Sequence, residues 1–159
     1  MENIDIENLL QKLNSQLSFY VVAENQLNFK VLHEAIVISN TQPIGLPGKH
    51  WVAFYVKPNK SVEFFDSFGL LPSYYSEHFV QFIKINSSNN FYVRNTKQIQ
   101  NDGSNLCGLY CMLYYYTKTQ NYTFEMFLQW FKQDTFLNDR KCLQMVEEKF
   151  HVYFKLQDE

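Results

Sequence analysis

Apolar residues recur along the chain at two different spacings, which separate its helices from its strands. Spacings of three and four predict amphipathic helices over residues 5–17, 73–85, 123–132 and 137–150. An unbroken apolar run over residues 106–116 predicts a further helix that is buried. The helix over residues 73–85 is expected to cover one side of a sheet.

Short β-prone segments supply that sheet. They are predicted at residues 19–23, 35–39, 50–56, 62–66 and 91–97. A turn over residues 57–61 joins the third and fourth strands into a β-hairpin, and the Pro- and Gly-rich residues 40–48 predict a loop. We therefore predict an α+β fold, with a central mixed β-sheet flanked by helices, in a single domain over residues 1–159.

Alternation along the hairpin singles out two polar residues. If both strands are regular, His50 shares a face with Val52 and Phe54, and Asp66 shares a face with Phe64. Both polar residues fall at the open end of the hairpin, away from its turn. A histidine and a carboxylate are therefore expected at the same end of the sheet.

Composition and charge narrow the functional classes. The chain of 159 residues is 46% hydrophobic and 18% aromatic, which is typical of a folded domain. Its formal net charge of −2 lacks the excess of Lys and Arg that general nucleic-acid binding requires. No apolar run approaches the roughly 20 residues of a membrane span, and the acidic start is unlike a signal peptide. Three cysteines, an odd number, fit a reducing compartment better than a disulfide scaffold.

A polar, turn-forming loop ends at Cys107, where the buried helix is predicted to begin. Helix N-termini carry unpaired N–H groups and a partial positive charge, which stabilise a thiolate and a developing oxyanion. Acyl transfer by a cysteine also needs a histidine, a group that orients it, and a further oxyanion donor. The chain offers His50 and Asp66 for the first two tasks, and Gln100, seven residues before Cys107, for the third.

These residues lie in stretches that resemble the adenain-like cysteine proteases of adenoviruses, virophages and Polinton-type elements, which are related to the Ulp proteases that process SUMO. The matching stretches are residues 35–41, 50–54, 65–69 and 100–111, the last with the core Cys-Gly-Leu-Tyr-Cys. The resemblance implies a papain-like, adenain-type architecture, with the nucleophile at the N-terminus of a buried helix.

The resemblance also implies a role for each residue. Cys107 would be the nucleophile, His50 the general base and acid, and Asp66 the carboxylate that orients the histidine. Gln100 would donate to the oxyanion, beside the backbone N–H of Cys107. Trp51 matches the family's tryptophan next to the histidine, and would shield the ion pair and line the substrate cleft.

Several cysteine and carboxylate positions also fit simpler structural roles. A lone cysteine such as Cys107 is ordinarily a core residue. Cys111, four residues on, suggests a metal pair with Cys107, although no further ligands occur at close spacing. Core packing is the expected role of Cys111 and Cys142. Glu63 is the rival of Asp66 as the orienting acid, but strand alternation points it to the opposite face.

By resemblance, the protein is expected to be a monomeric thiol endopeptidase that matures capsid or core precursors of a virus or mobile element, cutting next to small residues, Gly above all. It would act in the cytoplasm or nucleus of the host, in viral factories, and in the virion. The alternatives are a Ulp-like isopeptidase that acts on SUMO or ubiquitin-like modifiers, and a catalytically inactive binding module on the same fold.

Expectations about cofactors depart from the adenoviral pattern. Adenoviral enzymes are activated by DNA and by a short viral peptide, which is disulfide-linked to a cysteine ahead of the nucleophile. No cysteine precedes Cys107 in this sequence, so the disulfide is not expected in its adenoviral form, and a noncovalent activating peptide is the alternative. The net charge gives no support for activation by DNA, and no metal is expected.

Overall fold

Five strands, all within the described residues, form one mixed sheet. The computed structural model describes residues 3–42, 50–58 and 61–154. The strands, in their spatial order, are β1 (Ser18–Ala23), β2 (Ala35–Asn40), β3 (Trp51–Val56), β4 (Val62–Phe65) and β5 (Tyr92–Arg94). The pairs β1–β2 and β4–β5 are parallel, whereas β2–β3 and β3–β4 are antiparallel. The predicted mixed sheet is confirmed, with β5 shorter than expected.

Helices lie on both sides of this sheet. They are α1 (Asn3–Gln11), α2 (Pro72–Tyr75), α3 (Glu77–Asn86), α4 (Cys107–Thr119), α5 (Phe124–Leu128) and α6 (Thr135–Phe150). Ten of the 13 residues of α4 are buried, as the unbroken apolar run predicts. The α+β class and the buried helix that begins at Cys107 are therefore confirmed.

Three helices differ by several residues from their predicted bounds, and one of them, α5, ends at Leu128 rather than at residue 132. The first ends at Gln11 rather than at residue 17, because Asn14 takes a left-handed φ of 47° and the chain then extends into β1. The helix predicted over residues 73–85 is interrupted at Ser76, whose backbone is extended. The hydroxyl of Ser76 accepts a hydrogen bond from the N–H of His78, so this residue caps α3 instead of continuing α2.

The two faces of the sheet bury separate hydrophobic clusters. One face packs on α1, α4 and α6 and includes Trp51, Ala53 and Phe65. The other face includes Phe54 and Phe64 and is covered by α3, as predicted for the helix in this region. The hairpin alternation is thus confirmed. Because α4 lies on one face and α2 and α3 follow β4 on the other, the end of the hairpin is where the two layers meet.

Two predicted connections are only partly described. The loop over residues 40–48 is described as far as Gln42, since residues 43–49 lie outside the described ranges. Residues 59 and 60 of the turn predicted over residues 57–61 also lie outside the described ranges. The antiparallel pairing of β3 with β4 nevertheless confirms the hairpin itself.

Candidate active site

The hairpin of β3 and β4 brings His50 and Asp66 together. Its register pairs Ala53 with Phe65, so the residue that precedes β3 and the residue that follows β4 come to the same end of the sheet. The Nε2 atom of His50 lies 2.6 Å from Oδ1 of Asp66, and both side chains are buried. The predicted juxtaposition is present, while its catalytic role stays a prediction.

The carboxylate of Asp66 accepts hydrogen bonds at both oxygens. Oδ1 also receives the backbone N–H of Phe68, at 3.1 Å. Oδ2 receives the N–H of Leu70 at 3.0 Å and the hydroxyl of Tyr75 at 2.7 Å. A buried carboxylate is costly without such partners. These donors therefore make the burial of Asp66 possible and fix its plane relative to the imidazole.

The backbone of Asp66 is held as firmly as its side chain. Asn95, just after β5, accepts from the N–H of Asp66 at 3.1 Å and donates to its carbonyl at 2.6 Å. β5 lies beside β4 in the sheet, so this amide replaces the ladder hydrogen bonds where β4 ends. The position of the carboxylate is thus tied to the sheet edge.

Aromatic rings and charged groups surround His50. The rings of Phe68 and Tyr75 lie roughly parallel to the imidazole, with centroids 4.7 Å and 5.2 Å from it. Burial lowers the pKa of His50, but hydrogen bonds to Asp66 and Cys107, and the charges of both, outweigh burial and raise the pKa to about 9. The imidazolium form is therefore favoured at neutral pH.

Cys107 is the first residue of α4 and lies beside His50. The side chain is only 7% exposed, and its thiol contributes to the raised pKa of His50. Because Asp66 holds Nε2, the ring nitrogen left for the thiol is Nδ1. The first N–H groups of α4 have no partners within the helix, and their partial positive charge lies at the sulfur.

Gln100 lies in the loop before α4, with both ends of its buried side chain bonded. Its Oε1 accepts from the hydroxyl of Ser67 at 2.5 Å. Its Nε2 contacts Ser104 twice, at 3.0 Å to the carbonyl and 3.1 Å to the hydroxyl oxygen. Ser67 follows Asp66 directly, and Ser104 lies three residues before Cys107. Gln100 therefore links the hairpin end of the site to the loop that precedes the cysteine.

The backbone on either side of Gln100 is anchored by α6. The side-chain amide of Asn138 donates to the carbonyl of Ile99 at 3.0 Å. The N–H of Asn101 donates to Oδ1 of Asp139 at 3.3 Å. The C-terminal helix thus fixes the loop that carries Gln100, although α6 itself is remote from it in sequence.

The structure also shows where Trp51 and Glu63, two further residues considered from the sequence, lie relative to the site. Trp51 is 4% exposed and packs in the same hydrophobic cluster as Cys107; its role in substrate binding stays a prediction. Glu63 points away from His50, as alternation predicts, and bonds Lys118 at 2.8 Å and the hydroxyl of Tyr114 at 2.7 Å. Asp66, not Glu63, is the carboxylate beside the histidine.

Cys111 and Cys142 are core residues, as predicted. Each is at most 1% exposed, and burial raises the pKa of both thiols well above the ordinary value. Within the part of the chain that the structure describes, no three His, Cys, Asp or Glu side chains form a group that could hold a metal ion. No helix in those same ranges is long and apolar enough to cross a membrane.

Sequence reasoning missed four residues that support the site. Phe68, Tyr75 and Asn95 contact His50 or Asp66, and Ser67 contacts Gln100. Helical spacing assigns Tyr75 only to an apolar helix face. The one available signal was position, since Ser67 and Phe68 directly follow Asp66 in the sequence.

A cysteine at the start of a buried helix, beside a histidine that is hydrogen-bonded to a carboxylate, is an arrangement that cysteine peptidases use. A model of the adenovirus endoprotease family matches residues 25–148. The chain therefore belongs to this family and is a cysteine protease, a hydrolase of peptide bonds. The family predicted from the sequence is confirmed.

Similarity to individual proteins is weaker. The structure of ChlaDub1 from Chlamydia trachomatis aligns with 69% of this chain at 17% identity, with a TM-score of 0.42. This chain spans half of that structure's length, 50%. No curated protein sequence matches the chain.

Proposed function

We propose that this protein is a thiol endopeptidase that cleaves capsid or core precursor proteins of a virus or mobile element, with Cys107 as the nucleophile. One observation carries the assignment of the residues. His50 is held by Asp66 through Nε2 and has Cys107 as its other partner, so a base, its orienting group and a thiol form one chain of contacts. Membership of the adenovirus endoprotease family supports the same assignment.

The reaction divides into two acyl transfers. The thiolate of Cys107 attacks the carbonyl carbon of the scissile bond, and the carbonyl oxygen becomes an oxyanion beside the N–H of Cys107 and Nε2 of Gln100. The imidazolium of His50 gives its Nδ1 proton to the leaving amine, and the C–N bond breaks to leave a thioester on Cys107. His50 then takes a proton from water, the hydroxide attacks the thioester, and the acid product leaves the regenerated thiolate.

The electrostatics suit this sequence of steps. A pKa of about 9 keeps His50 protonated at neutral pH, so the proton needed by the leaving amine is already on the ring. The same positive charge and the partial positive charge at the N-terminus of α4 attract the negative charge of an attacking sulfur. Asp66 stabilises the imidazolium and selects the nitrogen that faces the sulfur.

The substrate proposed is a protein chain with small residues, Gly above all, next to the scissile bond. The resemblance to adenain-like enzymes suggests it, and the low exposure of the site supports it: Cys107 is 7% exposed and His50 is 6% exposed. An extended chain with little side-chain bulk reaches such a sulfur most easily. Trp51 would shield the ion pair and line the cleft.

The proposal extends to cofactors and setting. His50 and Asp66 are in contact within this chain alone, which supports a monomeric enzyme. A noncovalent peptide is the activator that we propose. All three cysteines are free, in keeping with action in the host cytoplasm or nucleus, in viral factories and in the virion.

A labelling experiment tests the nucleophile. Iodoacetamide should alkylate Cys107 in the folded protein at neutral pH, and peptide mapping should show Cys111 and Cys142 unmodified, because both are buried with raised pKa values. His50→Ala should slow the alkylation strongly. Equal labelling of the two proteins would overturn the assignment and favour a binding module.

A cleavage experiment tests the substrate class. Peptides and capsid precursors with Gly on either side of the scissile bond should be cut by the wild type and not by Cys107→Ala. SUMO and ubiquitin-like conjugates should remain intact under the same conditions. Cleavage of the conjugates without cleavage of the Gly-containing peptides would contradict the proposed endopeptidase activity and support an isopeptidase instead.

A further inference from the structure

Ser67 is bound to Gln100 through both its backbone and its side chain. Its carbonyl accepts the N–H of Gln100 at 3.1 Å and that of Ile99 at 2.9 Å. Its hydroxyl lies 2.5 Å from Oε1 of Gln100. Ser67 and Gln100 are each 1% exposed, so water does not compete at these contacts.

The partners of the Gln100 amide determine which of its ends is nitrogen. A backbone carbonyl can only accept, so the end that faces the carbonyl of Ser104, at 3.0 Å, must be Nε2. The other end is then Oε1, which can only accept, and the hydroxyl of Ser67 must be the donor. The carbonyl of Ser104 thus selects the amide orientation, and the hydroxyl of Ser67 donates to the oxygen end that results, so the N–H groups lie on the side of the loop that leads to Cys107.

The opposite orientation would be harmful to acyl transfer. It would turn a carbonyl oxygen, with its partial negative charge, toward the place where the oxyanion develops. An oxyanion hole works because its donors are in place before the charge appears. The second contact of Nε2 is the hydroxyl oxygen of Ser104, a neutral acceptor that an oxyanion can replace.

We propose that Ser67 is a positioning residue for the oxyanion hole: its hydroxyl donates to Oε1 of Gln100 and so holds Nε2 toward the Cys107 loop. This inference rests on the proposed role of Gln100 as an oxyanion donor. Asp66 and Ser67 are consecutive, so one turn of backbone orients both the general base, through Asp66, and the oxyanion donor, through Ser67.

The test compares two reactions of the same sulfur. Peptide hydrolysis passes through an oxyanion, whereas alkylation by iodoacetamide needs the thiolate but forms no oxyanion. We expect Gln100→Ala to lower kcat by about 10² to 10³-fold, and Ser67→Ala by about 10 to 10²-fold, with KM little changed. Both variants should keep the wild-type alkylation rate of Cys107, which also shows that they are folded. The pH dependence set by His50 should not move.

A double mutant and a matched pair complete the test. If Ser67 acts through Gln100, Ser67→Ala/Gln100→Ala should be no slower than Gln100→Ala alone. Ser67→Thr and Ser67→Val add equal bulk and differ in the hydroxyl, so the Thr variant should hydrolyse faster by about 10-fold or more. A peptide aldehyde ending in glycinal, whose carbonyl oxygen becomes an oxyanion when Cys107 adds to it, should lose affinity in parallel with kcat.

The possible failures are distinct. If Gln100→Ala hydrolysed peptide at the wild-type rate, Gln100 would not be the oxyanion donor, and this inference, which rests on that role, would fail as well. Slow hydrolysis by Gln100→Ala with wild-type hydrolysis by Ser67→Ala would overturn the inference alone. Multiplied losses in the double mutant, or equal rates for the Thr and Val variants, would also overturn it. Absence of alkylation at Cys107 in the wild type would contradict the proposed nucleophile instead.

Discussion

The Nε2 atom of His50 lies 2.6 Å from Oδ1 of Asp66, and this contact assigns the two ring nitrogens to different partners. Nδ1 is left for Cys107, whose thiol and the carboxylate together raise the pKa of His50 to about 9 in spite of burial. The histidine is therefore prepared as an acid before substrate arrives. In the proposed mechanism this is the state that protonates the leaving amine.

Asp66→Asn should remove the negative charge of this contact while it keeps a side chain of the same size. The amide cannot supply the negative charge, so the pKa of His50 should fall and kcat/KM should drop by about 10² to 10⁴-fold, the upper figure being the cost of this change in the serine-protease triad. Wild-type activity should decline as the pH rises through about 9, where His50 loses its proton. The variant should decline at lower pH.

The measurement is the pH profile of kcat/KM, with an NMR titration of the imidazole. Glu63→Gln serves as the control, because Glu63 bonds Lys118 and Tyr114 and not His50. An unchanged alkaline limb in Asp66→Asn, or an equal shift in Glu63→Gln, would contradict the assignment of Asp66 as the orienting acid.

Tyr75→Phe should weaken the site without dismantling it. The change removes the 2.7 Å hydrogen bond to Oδ2 of Asp66 but keeps the ring beside the imidazole. Hydrogen bonds to charged groups contribute about 1.5 to 3 kcal/mol, so we expect a loss of that order in the free energy of unfolding, and a several-fold fall in kcat. Urea denaturation and steady-state kinetics measure the two effects.

The neighbouring tyrosine gives a matched control for this prediction. Tyr74 is 71% exposed, so Tyr74→Phe should change the free energy of unfolding by no more than about 0.5 kcal/mol. If the two Tyr→Phe variants behaved alike, the hydroxyl of Tyr75 would have no part in supporting Asp66.

Some parts of this site can be predicted from the pattern of apolar residues in the sequence. Period-two alternation predicts the hairpin, and the hairpin predicts that His50 and Asp66 share an end, because pairing of adjacent strands is a local consequence of one turn. The apolar run likewise predicts α4 and places Cys107 at its start. The residue types and their order make these three residues and Gln100 candidates for the catalytic tasks, but only resemblance to a family assigns a role to each, since spacing alone assigns no chemistry.

The supporting contacts could not be predicted in this way. Asn95 bonds Asp66 across 29 positions of sequence, and Ser67 bonds Gln100 across 33. Such pairs depend on where loops return to the sheet, which hydrophobic periodicity does not encode. Tyr75 lies only nine positions from Asp66, but the structure divides the single helix predicted over residues 73–85 at Ser76, whose hydroxyl caps α3, and the sequence pattern does not indicate this break.

Asn138→Ala should loosen the loop that carries Gln100. The side chain is 2% exposed and makes three hydrogen bonds, one to the carbonyl of Ile99 and two to the backbone of Lys132. Its removal leaves buried groups unpaired, which costs about 1 to 3 kcal/mol in unfolding free energy. Hydrolysis should also slow at temperatures where the variant is fully folded, while alkylation of Cys107 keeps its rate.

Denaturation, peptide hydrolysis and alkylation rates test this together. Gln144→Ala on the exposed side of the same helix is the control and should match the wild type in all three. If Asn138→Ala lost stability but kept the wild-type kcat while folded, the hydrogen bonds of Asn138 would have no effect on catalysis.

Gly69→Ala should be the most damaging small substitution near Asp66. Gly69 has a φ of +70°, and its N–H closes a turn on the carbonyl of Asp66 at 2.8 Å. An added Cβ would lie 2.8 Å from the carbonyl carbon of Lys97 and from the carbonyl oxygen of Thr96, both of them backbone atoms that cannot turn away. The left-handed φ alone costs about 1 to 2 kcal/mol for alanine, so the total loss should exceed about 2 kcal/mol.

Gly103→Ala is the matched control for this change. A Cβ at Gly103 would meet only the side-chain oxygen of Asn101, at an ordinary contact distance of 3.5 Å. The free energy of unfolding should therefore change by less than about 1 kcal/mol, in either direction. Because Gly69 shapes the turn that holds the Asp66 carboxylate, Gly69→Ala should also lower the pKa of His50 and shift the alkaline limb of kcat/KM downward, whereas Gly103→Ala should leave it in place. Equal stability of the two alanine variants would show that the turn tolerates a side chain and that its left-handed backbone is not what holds Asp66.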